Sequence, residues 1–214
     1  MKYKLHCFAQ SGNAYKVALM LNLCEADWDP VFVDFFNGEH LSDEFRALNE
    51  MGEVPVLEAG DLVLSQSGVV LDYLADSFEN FDAASVPEHR EIMRWIMFDN
   101  HKLTGVVSVL RFLRQFKKTG ETDVTRFLHD RALKALGTLN QKVSESDFIL
   151  GEKPSIADIS LCGYLYWPDE IGIDMSQFLG VAQWLERIAA LPNWVHPYEL
   201  MPGYPRIEKD DKSA

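Results

Sequence analysis

The sequence predicts a small α/β domain at the N-terminus, followed by an all-α C-terminal domain. Strand and helix patterns alternate over the first third of the 214-residue chain, whereas the remainder has helical patterns alone. Between these parts, residues 79–87 contain small and polar side chains and end on a proline. This composition predicts a linker. We therefore expect domains at residues 1–78 and 88–214.

The first strand and the first helix are predicted to meet at a polar turn. Lys2–Phe8 alternates as a half-buried strand does, and Ala14–Leu23 places apolar residues at helical spacing. Between them, Ser11-Gly12-Asn13 provides turn and helix-capping side chains.

The rest of the first domain continues this alternation. A segment rich in Val and Phe predicts the second strand, Ser42 is suited to cap a short helix, and Ala59-Gly60-Asp61 is suited to turn a hairpin. These elements are predicted at residues 30–35 (strand), 41–48 (helix), 54–58 and 62–64 (hairpin) and 66–78 (helix).

The second domain is predicted to consist of helices. Apolar residues cover more than one face of Glu88–Lys118, so this long helix is expected to be buried on two sides. Asp123–Val143 is amphipathic, and Ser155 with Asp158 has the spacing of a capping box. Two further helices are expected near 177–190 and 194–200, before a proline-rich, charged tail.

Composition narrows the function classes. The chain has 33 Asp and Glu against 20 Lys and Arg, which argues against a partner that is bound through its phosphate backbone. No apolar stretch approaches the ~20 residues of a membrane helix, and the first residues lack the layout of a signal peptide. Three cysteines without metal-like spacing favour a reduced cytoplasmic protein with no metal.

Pro55 stands where the hairpin begins, and Gln66-Ser67 follows the returning strand. Because proline cannot donate to a strand ladder, it is unusual inside a sheet. The arrangement would place free backbone groups and polar side chains together at one end of the sheet. We therefore expect a ligand to be held there.

Four segments together resemble the cytosolic glutathione S-transferase family, in a bacterial form with serine at the thiol-activating position. They occur in the family's order and span nearly the whole chain. The segments are Ser11-Gly12-Asn13, NEMGEVPVL (49–57), LSQSGVVLDYLAD (64–76) and FILGEKPSIADISL (148–161). The resemblance implies a thioredoxin-like first domain that binds glutathione as co-substrate.

The resemblance also implies roles for individual residues. The bond between Val54 and Pro55 would be cis, so that the backbone of Val54 faces the cysteinyl part of glutathione. Gln66 and Ser67 would hold the glutamyl end at the start of a helix. Ser11 would stabilise the thiolate.

Asn13 is the alternative for the thiolate, and His40 lies where the family often contacts the glycyl end.

The segment FDNHKL (98–103) resembles the bacterial beta class. There, Asp99 would pair with the glutamyl amine across a dimer interface, and His101 and Lys102 would approach the thiol or the glycyl carboxylate. The alternative is a solvated helix face. Because the beta class has cysteine where this chain has Ser11, disulfide chemistry with glutathione is not expected.

The expected activity is thiolate attack on a small apolar electrophile by a cytoplasmic, homodimeric detoxification enzyme, with hydroperoxide reduction as a further reaction. The electrophile pocket is expected to use Phe8, residues 95–98 and 164–167, and the tail. One alternative is a non-catalytic binding protein, favoured by Glu53 before the Val-Pro pair and by an acidic first domain. Another is a glutathione-dependent isomerase or dehalogenase.

Overall fold

The computed structural model of the protein describes residues 2–205, and the first domain is built on a four-stranded sheet. The strand order is β2-β1-β3-β4, with β1 parallel to β2 and antiparallel to β3, and with β3 antiparallel to β4. The strands are β1 (Tyr3–Cys7), β2 (Trp28–Phe32), β3 (Val56–Ala59) and β4 (Leu62–Ser65). This is the thioredoxin-like arrangement expected from the sequence.

Three helices belong to the first domain, and serine caps two of them. The Oγ of Ser42 accepts a hydrogen bond from the backbone N–H of Phe45, which confirms the predicted cap. The helices are α1 (Gly12–Leu23), α2 (Asp43–Leu48) and α3 (Ser67–Phe78).

The second strand is found, but its bounds are displaced from the predicted 30–35. It starts at Trp28 and ends at Phe32, and the chain then turns instead of extending through Phe35. Asn37 Nδ2 donates to the carboxylate of Asp34 at 2.8 Å, and Phe35–Asn37 forms a single 3-10 turn. The phenylalanines after the strand consequently leave the sheet.

The predicted long helix is a continuous helical run that changes geometry twice. Helix α4 (Val86–Phe98) leads into a π-helical turn at Asp99–Thr104, followed by α5 (Gly105–Arg111) and a second π-helical turn at Phe112–Phe116. A π turn shifts the register of the helix face by one residue, which periodicity alone does not reveal. Apolar residues along the run belong to the core, but Arg94, Met97 and His101 are exposed along one face, so the expected burial on two sides is not found within this chain.

The remaining helices complete the second domain. The capping box is confirmed, because the backbone N–H of Ser155 donates to Asp158 Oδ2 at 2.9 Å. The helices are α6 (Asp123–Val143), α7 (Ile156–Cys162), α8 (Pro168–Ile171), α9 (Leu179–Ala189) and α10 (Pro197–Leu200). The charged end of the predicted tail, at 206–214, lies outside the described residues.

Helix α1 joins the cores of the two domains. It packs on α3 of its own domain and on α7 and α10 of the second. All residues from Gly12 to Leu21 except Asn13 are buried. One apolar cluster accordingly extends through both domains.

Residues 2–205 contain neither a membrane-spanning helix nor a cluster of metal ligands. No helix in this part of the chain is long and apolar enough to cross a membrane. No group of three or more His, Cys, Asp or Glu residues there is arranged to hold a metal ion.

Candidate functional site

A cavity of about 530 Å³ lies where the loop after β1, the segment before β3 and the helical run 105–116 meet. The residues that line it combine aromatic rings with a few polar groups. They are Phe8, Gln10, Ser11, Asn13, Phe35, Phe36, His40, Met51, Gly52, Glu53, Val54, Ser108, Val109, Arg111, Phe112, Phe116 and Tyr164. Ser11, Asn13, His40 and Val54, all expected from the sequence, are therefore brought together.

Ser11 lies at the N-terminus of α1. Its Oγ accepts a hydrogen bond from the backbone N–H of Ala14 at 3.1 Å, so the side chain caps the helix. A hydroxyl that accepts one bond still has its hydrogen to donate. Ser11 is thus suited to be a cap and a donor into the cavity at the same time.

The loop that carries Ser11 is held by distant parts of the chain. The backbone N–H of Ala9 donates to the carbonyl of Pro202 at 2.7 Å, and Gln10 Nε2 donates to the carbonyl of Gly203 at 2.7 Å. The carbonyl of Gln10 accepts from Arg111 Nη1, also at 2.7 Å. The position of Ser11 therefore depends on the second domain and on the C-terminal segment.

Arg111 is a buried cation, and each nitrogen of its guanidinium contacts a hydrogen-bond partner. Its Nε donates to Glu170 Oε2 at 2.7 Å and its Nη2 donates to the hydroxyl of Tyr198 at 2.9 Å. The guanidinium also lies 3.7 Å from the centre of the Trp167 ring. These contacts fix Arg111 as a support for the loop, on the wall of the cavity.

Asn13 and Val54 also line a second, smaller cavity of about 30 Å³. The side-chain Oδ1 of Asn13 is buried and has no hydrogen-bond partner among the described residues. The bond between Val54 and Pro55 is cis, as predicted. The other residues around the smaller cavity are Glu53, Gln66, Ser67 and Asn100.

Gln66 and Ser67 stand where β4 ends and α3 begins. Ser67 is buried at the first position of the helix, and Gln66 precedes it with φ of 67°. The exposed N–H groups at such a helix start favour a carboxylate. Both residues therefore lie at the start of one helix, and their binding of glutathione stays a prediction.

The carboxylate of Glu53 is directed toward Gln66. Gln66 Nε2 donates to Glu53 Oε2 at 3.2 Å, and the backbone carbonyl of Glu53 accepts from Asn49 Nδ2 at 2.8 Å. The acidic group therefore lies beside the smaller cavity, where a positively charged amine would be favoured and a carboxylate disfavoured.

His40 forms part of the wall of the larger cavity. Its ring stacks on Phe35 with a centroid distance of 4.1 Å, and its Nδ1 is buried without a partner among the described residues. Burial and the nearby charge of Arg46 lower the pKa of His40. The imidazole is consequently neutral near pH 7 and can offer a hydrogen bond rather than a charge.

Aromatic residues form a large part of the wall of the larger cavity. Phe8 stacks on Phe35 at a centroid distance of 4.7 Å, and Phe36 contacts Phe116 at 5.1 Å. Of the pocket residues expected from the sequence, Phe8 and Tyr164 line the cavity. Residues 95–98 do not, because α4 directs Trp95 and Ile96 into the core.

Sequence patterns do not indicate Phe35, Phe36, Arg111, Phe112 or Phe116 as cavity residues. Phe35 and Phe36 fall in the predicted strand and the segment after it, and Phe112 and Phe116 belong to an aromatic pattern that is equally typical of a core. No local pattern marks Arg111.

The expectation for Asp99 is wrong. Its carboxylate is fully buried inside the chain, where Oδ2 lies 2.6 Å from Lys16 Nζ. Thr104 and Ser160 donate to the same carboxylate, each at 2.7 Å. Asp99 therefore cannot also reach a ligand amine.

His101 and Lys102 are exposed and belong to the lining of neither cavity. Asn100, one position before His101, does reach the smaller cavity.

Cys7 is a core residue, as expected. It is completely buried, and burial raises the pKa of its thiol to about 12. A thiol of this kind is not a nucleophile at neutral pH.

Comparison with known proteins agrees with this arrangement. Residues 1–76 match the family model "Glutathione S-transferase, N-terminal domain", and residues 108–192 match "Glutathione S-transferase, C-terminal domain". The crystal structure of a glutathione S-transferase from Pseudomonas fluorescens is similar, with 32% identity and a TM-score of 0.86. That similarity covers 91% of this chain and 98% of that one.

Two curated relatives carry different activities in their names. Glutathione S-transferase F14 of Arabidopsis thaliana is 28% identical over 208 residues, which cover 91% of this chain and 82% of the relative. Maleylacetoacetate isomerase of Pseudomonas aeruginosa is 26% identical over 205 residues, which cover 91% and 95%.

Proposed function

Because the chain belongs to the glutathione S-transferase family, we propose that it binds glutathione and activates its thiol for attack on a small apolar electrophile in the cytoplasm. The observation that carries the proposal is the larger cavity. Ser11 and the N-terminus of α1 lie on one of its sides, and a cluster of phenylalanines lies on the other. Such a site can hold a polar thiol beside an apolar reactant.

Glutathione would lie along both cavities. The carboxylate of Glu53 beside the smaller cavity suits the glutamyl amine, and the N-terminus of α3 at Ser67 suits the glutamyl carboxylate. The backbone of Val54 would bind the cysteinyl part, and the neutral ring of His40 would donate to the glycyl end. The thiol would then point toward Ser11 and Asn13.

The site has enough stabilisation to ionise the thiol. A free thiol has a pKa near ~8.5, and lowering it by about two units requires roughly 2.7 kcal/mol in favour of the thiolate. One hydrogen bond to a charged group supplies roughly 1.5–3 kcal/mol, and a helix N-terminus about 0.3–1. A donor such as Ser11 or Asn13 at the start of α1 is therefore sufficient.

The reaction would follow from the positions of these groups. The thiol loses its proton to solvent, and the sulfur lone pair attacks an electrophile that is packed against Phe36 and Phe116. Holding both reactants in one cavity is itself a large part of such catalysis. Isomerisation is the second candidate, because a relative of nearly full coverage is named for it.

We also propose that the protein is a homodimer. Large apolar side chains are exposed on β4, α3 and α4, which are neighbouring elements of the two domains. They are Leu62, Val63, Val69 and Met97. A second copy covering them would remove this apolar surface from water.

Isothermal calorimetry with glutathione tests the proposal. We expect saturable binding to the wild-type protein and about tenfold weaker binding to S67A, since the variant removes a hydroxyl from the glutamyl site. S77A is the matched control, because Ser77 lies at the other end of α3 and donates only to the carbonyl of Tyr73. Absence of saturable binding to the wild-type protein would refute the proposed function.

Turnover identifies the reaction class. An aryl halide tests conjugation, and a hydroperoxide tests reduction. A dicarboxylic acid with a keto group and a cis double bond tests isomerisation. We expect conjugation to be fastest. Binding of glutathione without turnover of any of the three would instead indicate a non-catalytic member of the family.

A further inference from the structure

Tyr164 brings a phenol from the second domain to the N-terminus of α1. The residue follows α7, its side chain is about nine-tenths buried, and it lines the larger cavity together with Ser11 and Asn13. Its ring packs directly on Gly12, the residue between them. The phenol therefore lies beside the position expected for the glutathione thiol.

The ring of Tyr164 is fixed against the backbone of α1. A Cβ placed on Gly12 would lie 2.3–2.5 Å from three of its ring carbons, so no side chain fits at this position. Trp167 packs on another part of the ring at a centroid distance of 6.1 Å. This contact leaves the hydroxyl little freedom to turn away from the helix start.

The phenol carries its proton at neutral pH. Burial raises the pKa of Tyr164, and the nearby charge of Arg111 offsets this only in part. The protonated phenol has an O–H to donate, and its ring lies against Gly12 at the positive end of α1.

We propose that the hydroxyl of Tyr164 donates a hydrogen bond to the glutathione sulfur and is a catalytic residue of the transferase. The inference rests on the proposed function. Tyr164 would supply one hydrogen-bond donor to the sulfur beside the positive end of α1. Ser11 caps the helix and would supply a second donor. No proton leaves Tyr164 in the reaction: the thiol proton passes to water, and the leaving group takes the electrons of its bond when sulfur attacks.

The experiment compares the pKa of the bound thiol in Y164F and in the wild-type protein, by ultraviolet titration of the glutathione thiolate in the complex. We expect the pKa of the bound thiol to rise by about one unit in Y164F, which is a tenfold smaller ratio of thiolate to thiol. We expect the glutathione dissociation constant to change by less than about threefold, since the backbone and glutamyl contacts remain.

Y166F is the matched control. Tyr166 lies two residues away, and its hydroxyl donates to the carbonyl of Leu185 at 3.3 Å, outside the lining of the cavity. Its bound thiol should titrate as in the wild-type protein. Equal pKa values in Y164F and the wild-type protein would overturn the role of Tyr164.

A second variant keeps the phenol in place. A fluorinated tyrosine incorporated at position 164 preserves the contacts and makes the O–H a stronger donor. It should lower the pKa of the bound thiol, and a rise would contradict the proposal. Calorimetry distinguishes failure of the proposed function from failure of the role of Tyr164. No glutathione binding to the wild-type protein refutes the proposed function. Binding with an unchanged thiol pKa in Y164F refutes only the role of Tyr164.

Discussion

The buried pair of Lys16 and Asp99 gives the sharpest prediction for stability. Lys16 belongs to α1 and Asp99 to the helical run of the second domain, and both side chains are fully buried. Thr104 accepts from Lys16 Nζ at 3.1 Å and donates to the carboxylate, and Ser160 donates to it as well. The variant D99N keeps an acceptor for these hydroxyls but removes the negative charge.

The expected loss is large because Lys16 remains. Removing one partner of a buried ion pair costs about 3–5 kcal/mol, since the other charge is left without compensation in the interior. With a urea m-value of about 2 kcal/mol per molar, the unfolding midpoint should fall by roughly 2 M. Replacing both partners, as in K16M/D99L, should restore most of this loss.

Urea unfolding followed by tryptophan fluorescence provides the measurement. D29N is the control, because Asp29 pairs with Lys2 at 2.9 Å on the surface, where both side chains are more than half exposed. Its midpoint should not change measurably. A midpoint for D99N close to the wild-type value, or a double variant no more stable than D99N, would refute the reasoning.

Three further predictions concern charge and assembly. E53Q should weaken glutathione binding about three- to tenfold, measured by calorimetry, because the attraction between the carboxylate beside Gln66 and the glutamyl amine is lost. Tighter binding would show that Glu53 repels a carboxylate of the ligand instead. His6 holds the pKa of Glu58 below its ordinary value of 4.5, so this pair contributes stability that is lost as the pH falls from about that value through the lowered pKa. E58Q should show a smaller loss of urea midpoint over that acid range, and an equal loss would contradict the assignment. V69K should give the mass of one chain by light scattering where the wild-type protein gives that of two, and a wild-type monomer would rule out the proposed dimer.

Local patterns predicted those parts of the fold in which neighbouring residues decide the structure. Helix α6 has the bounds expected from its amphipathic pattern, and the cap of α7 follows from Ser155 and Asp158 alone. The cis bond before Pro55 was inferred from the resemblance to the family. In each case the determining residues are close together in the sequence.

The remaining features depend on contacts between distant residues. Asp99 is separated from its partner Lys16 by 83 positions, so no local pattern indicates that its charge is neutralised. Phe35 continues a run of strand-forming residues, yet the turn at Asp34 removes it from the sheet. Tyr164 looked like a core aromatic, and its place beside Ser11 follows only from the packing of α7 on α1.

Helix α1 is buried by elements of both domains, and this has a consequence for how the protein folds. A helix that lacks a solvent face cannot be completed by either domain alone, since each half would expose apolar surface and leave Lys16 without its counter-charge. The segment 79–85 between α3 and α4 therefore marks a change in secondary structure but not a boundary between independent folding units. We expect the two domains to melt in one cooperative transition, and an excised first domain to aggregate or remain unfolded.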